Sequence, residues 1–397
     1  MKKKYVAVLL LVVSAGLFWL GRQIVADGAP PENAADPVKK IVRREIKKPM
    51  FVRGVHLSAW AAGSKNSRAR VDKLLEETEL NHVVVAIKEY KGDVYIAGVA
   101  DVDNLVGSIK AVPDMESYIA GLKAKGIFPS ARIVVFKDDA VARAKPEWAV
   151  KDPDGNIWHD RKKIAWTDPY NREVWDYNIK IAERAAQLGF DEIQFDYIRF
   201  PSDGNTRLCR YSVRHSSVAA AAALADFLAY ARERLKPYGV DISICVFGLT
   251  TTSSHDLGIG QRIVDMSASI DAVCPMVYPS HYNPGEYGLA SPNAEPYKTV
   301  YFSISGAAKR LGDMRTKIRP YLQDFSLGHK YGAKEVRDQI QACYDAGVYQ
   351  WLLWDPKCRY TRDALESKES YGRFVKEWKN IPPASSIKPA EVPGGNQ

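Results

Sequence analysis

Eight short apolar runs typical of β-strands alternate with helical segments along most of this 397-residue chain. The runs are VRGVHLSAW (52–60), HVVVAIKEY (82–90), PSARIVVFKD (129–138), DEIQFDYIRF (191–200), DISICVFGLT (241–250), DAVCPMVYPS (271–280), IRPYLQDF (318–325) and VYQWLLWDP (348–356). Nearly continuous apolar strands separated by helices indicate a parallel sheet that is covered on both faces. Eight such units match the count of a closed (β/α)8 barrel, the TIM-barrel fold of the α/β class.

The segments between the strands carry the periodicity and the end signals of helices. The helix candidates are 66–79, 113–125, 171–188, 218–235 and 333–346. Gly126, Gly189, Gly239 and Gly347 each follow one of these helical segments, where a left-handed residue commonly ends a helix. A doubly wound open sheet is the alternative, but its Gly-rich phosphate loop after the first strand is missing from the sequence. We therefore predict one barrel that forms a single catalytic domain.

The longest connections follow predicted strands two, three, four and six, at residues 91–112, 139–170, 201–217 and 279–292. In a barrel of this type, the loops after the strands form the C-terminal rim, where active sites are built. We expect the site at this rim, with enlarged loops that suit an extended substrate.

The N-terminal arm holds most of the excess charge. The net charge is +9, and residues 1–53 carry eleven Lys or Arg against four Asp or Glu. The rest of the chain is therefore nearly neutral, which disfavours nucleic-acid binding by the body of the protein. Three lysines precede a sixteen-residue apolar stretch at 5–20, a pattern typical of a signal anchor or signal peptide. An uncleaved anchor is our prediction, with cleaved export and a buried helix as alternatives.

These features predict the organisation of the whole chain. We expect a signal anchor or signal peptide over residues 1–23, a linker over 24–50, the barrel over 51–380 and a disordered tail over 381–397. The positive-inside rule places the lysines in the cytoplasm and the barrel outside it, in the periplasm or at the cell surface. The barrel is then tethered to the inner membrane by residues 5–20.

The cysteines and histidines do not indicate a metal centre. The five cysteines are irregularly spaced and form no CxxC pair, so we expect Cys245 and Cys274 to lie in the core. A disulfide stays open as an alternative in an oxidising compartment. No metal and no cofactor is expected, which also disfavours a metal-dependent deacetylase.

The fourth strand carries the most informative carboxylate. Period-two alternation places Asp196 and Ile198 on one face of this strand and Tyr197 on the other. Because burying an unpaired charge is costly, Asp196 must face a cleft or pair with a cation. An ion pair with Arg132 or Arg199 is one alternative, and a catalytic role is our prediction.

Residues 53 to 378 resemble a family of bacterial glycosyl hydrolases with a barrel fold. The motifs that carry the resemblance are GVH (54–56), PEWAVKD (146–152) followed by DG (154–155), WTDPYN (166–171), QFDYIRFP (194–201), MVYPSHY (276–282) and WDP (354–356). The family is distantly similar to alpha-amylase-like barrels, in which the aspartate of strand four is the nucleophile. The resemblance therefore implies that role for Asp196.

Glycoside cleavage needs a second carboxylate. The rim candidates are Glu89, Asp138, Asp139, Glu286, Asp324 and Asp355. Strand five ends in FGLTT, without the acidic residue that follows it in the alpha-amylase pattern, so that mechanism is not transferred whole. Asp324 is our first choice for the partner of Asp196, and Glu89 is the second.

The remaining site candidates are residues suited to sugar recognition. Flat aromatic side chains match the apolar faces of pyranose rings, and polar side chains match the hydroxyl groups. The candidates are Trp60, Trp166, Tyr278, Tyr282 and Trp354 as platforms, with His56, His281, Arg132, Arg199 and Asp355 as polar contacts. We also expect Arg199 to help keep Asp196 ionised.

These observations predict a hydrolase of a cell-envelope or extracellular polysaccharide, with a retaining mechanism. Asp196 attacks the anomeric carbon or stabilises the transition state, and a second rim carboxylate protonates the leaving oxygen. The alternative is a non-catalytic carbohydrate-binding barrel of the envelope, because the second carboxylate is not fixed by the sequence.

Overall fold

Eight parallel strands close into a barrel in strand order one to eight in the computed structural model, which describes residues 46–378. They are β1 Arg53–Leu57, β2 His82–Lys88, β3 Phe128–Val134, β4 Glu192–Asp196, β5 Asp241–Phe247, β6 Ala272–Met276, β7 Tyr321–Gln323 and β8 Trp351–Trp354. Strand β8 pairs in parallel with β1 and closes the barrel. The predicted (β/α)8 fold is confirmed, although the strands are shorter than the apolar runs because the flanking residues form the rim loops.

Eleven α-helices are present in the described range. They are α1 Ala59–Gly63, α2 Lys65–Glu77, α3 Ala100–Leu105, α4 Met115–Ala124, α5 Asp139–Ala144, α6 Arg172–Gln187, α7 Ser217–Leu235, α8 Ile263–Ser267, α9 Pro296–Leu311, α10 Ala333–Asp345 and α11 Lys368–Trp378. Short 3-10 helices cover Pro146–Trp148, Thr206–Leu208, Lys236–Tyr238, Gly248–Thr251, Pro279–His281, Glu286–Gly288, Pro292–Ala294, Gly312–Lys317 and Arg362–Ala364. The five predicted helices agree with α2, α4, α6, α7 and α10.

The predicted glycine ends of the helices are confirmed. Gly126, Gly189, Gly239 and Gly347 have φ angles of 75°, 101°, 60° and 76°. This left-handed region is costly for residues with a Cβ and open to glycine. Each glycine therefore lets the chain leave a helical segment and turn into the next strand.

The predicted signal anchor and tail, and all of the linker before residue 46, lie outside the described residues. Residues 46–378 contain no helix that is both long and apolar enough to cross a bilayer.

The outer face of β4 packs against the helical layer. Phe195 lies 5.3 Å, between ring centroids, from Phe227 of α7. Phe227 also contacts Phe136 and Trp175, at 5.5 and 5.6 Å. This aromatic cluster fixes β4 against the helices, and it leaves the alternate residues Gln194 and Asp196 facing the barrel interior.

The interior is polar near the N-terminal end of β4. Glu192 and Arg319 form an ion pair in which both side chains are inaccessible to solvent. Arg319 Nη2 donates to both carboxylate oxygens of Glu192, at 2.6 and 2.8 Å, and the hydroxyls of Ser130 and Ser243 donate to Oε1. These partners offset the cost of burying the charges.

The cysteines are all buried thiols. Cys209, Cys245, Cys274, Cys343 and Cys358 are free. Cys245 and Cys274 face each other in register across β5 and β6, which confirms their predicted place in the core.

Candidate active site

A cavity of about 410 Å³ opens at the C-terminal ends of the strands. It is lined by His56, Arg132, Asp196, Tyr197, Arg199, Cys245, Phe247, Gly248, Leu249, Gln261, Met276, Tyr278, His281, Tyr282, Tyr321 and Trp354. Small-molecule sites typically enclose about 300–1,000 Å³ and combine apolar walls with a few polar groups. The cavity has this size and character, and it lies at the rim where barrel enzymes place their chemistry.

A second cavity, of about 330 Å³, lies near the N-terminal ends of β1 and β8 and is lined in part by Phe51, Tyr349 and Trp378. In barrels this end serves stability rather than catalysis. The rim cavity is therefore the candidate active site.

Asp196 is the last residue of β4 and is held by three hydrogen bonds. Arg132 donates to its Oδ2 from Nε and Nη2, at 2.9 and 2.6 Å. The backbone N–H of Tyr197 donates to its Oδ1, at 2.7 Å. The ion pair that the sequence left open therefore exists with Arg132, and these contacts fix the orientation of a carboxylate that is only 3% exposed.

Tyr197 breaks the alternation of β4. Its φ angle is +51°, which is unfavourable for a residue with a Cβ and is often found at functional sites. As a result Tyr197 lines the cavity, whereas Ile198 is fully buried in the apolar core. The predicted faces of these two residues were wrong because the extended backbone ends at Asp196.

Arg132 also joins Asp196 to Glu89. Its Nη1 lies 3.2 Å from Glu89 Oε1. Because one planar guanidinium separates the two contacts, the bound oxygens of Glu89 and Asp196 lie within about 8 Å of each other. Burial opposes the charged form of Arg132, but the two carboxylates raise its pKa well above the ordinary value.

Arg199 forms no ion pair with Asp196 in the described structure, so of the two pairings that the sequence left open only the one with Arg132 is present. Its Nη1 donates to the backbone oxygen of Phe200 and to Ser202 Oγ, at 2.9 and 3.1 Å. Burial lowers the pKa of Arg199, while Tyr197 and Asp196 act in the opposite direction. Arg199 thus acts on Asp196 only through this longer-range electrostatic interaction.

The two predicted histidines differ in environment. His56 of β1 is buried, and neither ring nitrogen has a hydrogen-bond partner within the described part of the chain. Burial, together with Arg132, holds the pKa of His56 well below its usual value, so the ring is neutral. His281 lies in the loop after β6, where its Nδ1 is 3.0 Å from Ser280 Oγ.

Aromatic side chains form one wall of the cavity. The ring of Tyr278 lies 5.4 Å from that of Trp354, and the two planes are inclined by 31°. Phe325 contacts Trp354 edge-on at 5.1 Å. Tyr278 and Trp354 both line the cavity, so this wall offers aromatic surface of the kind that packs against a pyranose.

Asp324 and Asp355 lie outside the cavity lining. Thr361 donates to both oxygens of Asp324, from N and Oγ1, at 2.8 and 2.6 Å. Burial raises the pKa of Asp324 to about 7. Asp355 Oδ2 accepts from the backbone N–H groups of Lys357 and Arg359, so it shapes the turn after β8.

Trp60 and Trp166 are also separate from the cavity. Trp60 is 62% exposed on α1 and contacts the ring of Tyr95 edge-on at 6.2 Å. Trp166 is fully buried and lies beneath the guanidinium of Arg199, 4.8 Å from its carbon, so it supports Arg199 and does not face the cavity.

Sequence reasoning missed several lining residues, above all those after β5. Gly248 lies so close to β6 that an added Cβ would be 2.7 Å from the backbone oxygen of Met276, and closer still to the hydroxyl of Tyr282. Gln261 accepts from the N–H of Phe247 at 2.9 Å and donates to Ile198 O at 3.3 Å. The glycine directly after the strand is a sequence signal from which this close approach could have been predicted.

The comparisons with known proteins agree with this fold. A hypothetical protein from Ruminiclostridium thermocellum ATCC 27405 is 34% identical over 48% of this chain and 96% of its own, with a TM-score of 0.44. The PgaB (BpsB) glycoside hydrolase domain from Bordetella bronchiseptica is 13% identical over 80% of this chain and 99% of its own, with a TM-score of 0.60. The alpha-L-fucosidase isoenzyme 2 from Paenibacillus thiaminolyticus is 12% identical over 83% of this chain and 49% of its own, with a TM-score of 0.53. At 12% and 13% identity, the second and third likenesses establish the fold alone.

Among curated proteins, no sequence matches this chain. The profile of a family described as "Putative glycosyl hydrolase domain" matches residues 54–360, which include every strand from β2 to β8 and nearly all of β1. Because this match covers well over half of the sequence, the chain belongs to that glycosyl hydrolase family.

Proposed function

We propose that the protein is a retaining glycoside hydrolase of a cell-envelope or extracellular polysaccharide, with Asp196 as its nucleophile. The observation that carries this proposal is the position of Asp196 at the end of β4, inside an aromatic cavity and oriented by three hydrogen bonds. Pre-oriented carboxylates are what glycoside cleavage requires of a protein.

The hydrogen bonds on Asp196 distinguish its two oxygens. Oδ2 accepts two N–H groups from Arg132, which occupy both of its lone pairs. Among residues 46–378, the N–H of Tyr197 is the one donor to Oδ1, which leaves this oxygen a lone pair. We therefore assign the attack on the anomeric carbon to Oδ1, while Oδ2 stays bound to the guanidinium.

Glu89 is the partner that the geometry favours over Asp324. Neither carboxylate belongs to the cavity lining, but Glu89 shares Arg132 with Asp196, whereas both oxygens of Asp324 accept hydrogen bonds from Thr361. In the proposed course, Glu89 gives its proton to the leaving oxygen as Asp196 forms the glycosyl ester. Glu89 then takes a proton from the water that hydrolyses this ester. The limit of about 8 Å between the bound oxygens includes the separation of about 5–5.5 Å for retention and the lower part of the range of about 6.5–9.5 Å for inversion.

The aromatic wall supports a saccharide as the substrate. Tyr278 and Trp354 offer ring faces beside Asp196, while His56 and His281 contribute polar edges to the lining. A pyranose that packs on Trp354 and is bound through its hydroxyl groups uses both features.

We further propose that the chain works outside the cytoplasm as one barrel over residues 51–380, tethered at the inner membrane by residues 5–20. The support is the sequence of the N-terminal arm, in which lysines precede an apolar stretch. Attraction of the basic arm to anionic lipid adds about 1 kcal/mol for each basic residue near the surface.

The test of this function is the release of reducing ends from a panel of bacterial envelope and secreted polysaccharides. The full-length chain, purified in mild detergent, is compared with Asp196→Asn, Glu89→Gln and the control Asp313→Asn, which alters an exposed carboxylate on the 3-10 helix Gly312–Lys317. We expect release by the parent and the control, with losses of at least about 100-fold in the other two variants. Folding is checked by circular dichroism.

Two results would change this assignment. Binding of a polymer without release by any form of the protein would favour the non-catalytic carbohydrate-binding barrel. Release that survives Asp196→Asn would show that another group performs the chemistry. The anomer formed first, observed by proton NMR, separates retention from inversion.

A further inference from the structure

Arg199 is a buried cation that lines the cavity without an acidic partner. Its side chain is 7% exposed, and its only hydrogen bonds within residues 46–378 run from Nη1 to Phe200 O and Ser202 Oγ. None of the ion pairs in this range includes it. A buried guanidinium that lacks a counter-charge is costly, so its retention at a cavity wall needs an explanation.

Three aromatic rings hold the guanidinium in place. Its central carbon lies 4.8, 4.9 and 4.6 Å from the ring centres of Trp166, Tyr197 and Phe247. Such contacts stabilise the cation, and none of its hydrogen bonds within residues 46–378 uses Nε or Nη2. The donors on Nε and Nη2 therefore stay available beside the cavity that Arg199 lines.

Two of the three carboxylates near Arg199 are engaged with other cations. Asp160 binds Lys137 at 2.6 Å, and Asp196 binds Arg132. Asp203 affects Arg199 electrostatically, but it lies beyond salt-bridge distance in the described structure. Nothing in this part of the protein thus occupies the place of a counter-ion.

The charge balance of the site leads to the same conclusion. Asp196, Glu89 and Arg132 form one connected group. Both carboxylates of this group are paired with Arg132, and neither forms an ion pair with Arg199 in the described structure. Arg199 is therefore a cation of the cavity wall that has no ion pair among residues 46–378.

We propose that Arg199 binds an anionic substituent of the sugar, so that the substrate is an acidic polysaccharide rather than a neutral one. The inference rests on the proposed function and narrows its substrate class. The fork of N–H donors on a guanidinium matches the two oxygens of a carboxylate or a phosphate, and both occur as substituents of sugars. The aromatic rings around Arg199 keep this fork fixed before the substrate arrives.

Paired polymers that differ only in charge test the proposal. Binding to the full-length chain is measured by calorimetry for polyglucuronate before and after chemical reduction of its carboxyl groups. A phosphorylated mannan, before and after removal of its phosphate, forms the second arm. We expect at least tenfold tighter binding to the charged member of one pair. The pair that shows this preference identifies the anionic group as a carboxylate or a phosphate.

Variants of Arg199 connect this preference to the residue. Arg199→Met should abolish the preference by weakening the binding of the charged polymer alone. Arg199→Lys should retain part of the preference because the positive charge stays. The control Arg172→Met removes an exposed guanidinium that stacks on Trp175, 3.7 Å from its ring centre, and should change nothing.

Several results would overturn the inference. One is that, in both pairs, the charged polymer binds no more tightly than its neutral counterpart. Another is that Arg199→Met loses the same amount of affinity for charged and for neutral polymers. Calorimetry detects binding whether or not the polymer is cleaved, so a preference can be found even if hydrolysis fails. Conversely, hydrolysis of neutral polymers alone would leave the hydrolase proposal intact and reject the acidic substrate.

Discussion

Arg132 donates two hydrogen bonds to a single oxygen of Asp196, from Nε and Nη2, and leaves the other oxygen to the N–H of Tyr197. This arrangement fixes the plane of the carboxylate and, through Nη1, also holds Glu89. A lysine at this position would keep the charge but would lack the planar fork.

Arg132→Lys should therefore lower kcat by about 100-fold, since removing a positioned donor from an active site has an effect of this order. The change should fall on kcat more than on KM, because Arg132 binds the catalytic carboxylates and not the distal sugar units. Steady-state kinetics on the polymer identified above measure this split. Arg143→Lys, at an exposed pair with Asp139, is the matched control, and equal losses in both variants would contradict the prediction.

The Asp324 carboxyl should make the free energy of unfolding larger in mild acid than at neutral pH. Burial raises the pKa of this carboxyl to about 7, whereas an aspartate in the unfolded chain titrates near about 3.9. Between these values the folded protein binds a proton that the unfolded chain has released. The contribution of Asp324 is therefore fully present below about pH 4 and is lost as the pH rises towards 7.

Asp324→Asn removes that titration. Urea unfolding at several pH values from 4 to 8 should give a free energy of unfolding that falls less with rising pH in Asp324→Asn than in the parent. Asp313→Asn serves as the exposed control. Parallel curves for the parent and Asp324→Asn would show that this carboxyl titrates normally in the folded state.

The sequence sufficed for the fold because periodicity depends on local chemistry. Burial in the sheet requires the apolar runs, and a positive φ favours the glycines that end helices, such as Gly189 and Gly347. Both predictions are confirmed. The ends of the strands were less predictable, because the sequence stays apolar beyond the last residue that pairs with a neighbouring strand. Tyr197 is an example, since its positive φ depends on the tertiary contacts of the rim and not on its own chemistry.

The site was predicted in part for the same reason. Burying an unpaired carboxylate within an apolar strand costs free energy, so Asp196 was expected to face a cleft or to pair with a cation. On the sequence alone, Asp324 ranked above Glu89 as the second carboxylate. Both residues follow the last residue of a strand, and the alternation of side chains along a strand does not predict their direction there. The role of Trp166 as the support of Arg199 depends on a loop folding over β4, and no local pattern encodes that contact.

Glu192→Gln should unfold the barrel more readily. It leaves Arg319 buried without its counter-charge, a change that typically costs about 3–5 kcal/mol. Despite burial, Arg319 holds the pKa of Glu192 at about 2. The contribution of Glu192 is therefore present above its unfolded pKa of about 4.3 and is lost as the pH falls towards 2.

Chemical denaturation of Glu192→Gln and of Glu192→Leu/Arg319→Met measures this effect. The double variant removes both charges and should be considerably more stable than the single one. A single variant as stable as the parent would mean that the pair contributes little. Asp241→Asn, at a partly exposed pair with Lys48, is the control.

Gly248→Ala should damage the cavity, because the backbone after β5 approaches β6 too closely for a side chain. The new Cβ would lie 2.7 Å from Met276 O and would displace the hydroxyl of Tyr282, which now bonds Ser303 Oγ at 2.8 Å. Overpacking of this kind costs about 1–3 kcal/mol. Because Tyr282 lines the cavity, KM for the polymer should rise as well.

The matched control is Gly121→Ala in α4, where a Cβ meets no atom within 4 Å. Alanine favours a helix by about 0.8–1.0 kcal/mol over glycine, so this variant should melt at a higher temperature than the parent. Calorimetric Tm values should thus move in opposite directions for the two substitutions, with KM changed only in Gly248→Ala. A Gly248→Ala protein with parental Tm and KM would mean that the loop after β5 shifts freely, and that Tyr282 is not held in place by the glycine.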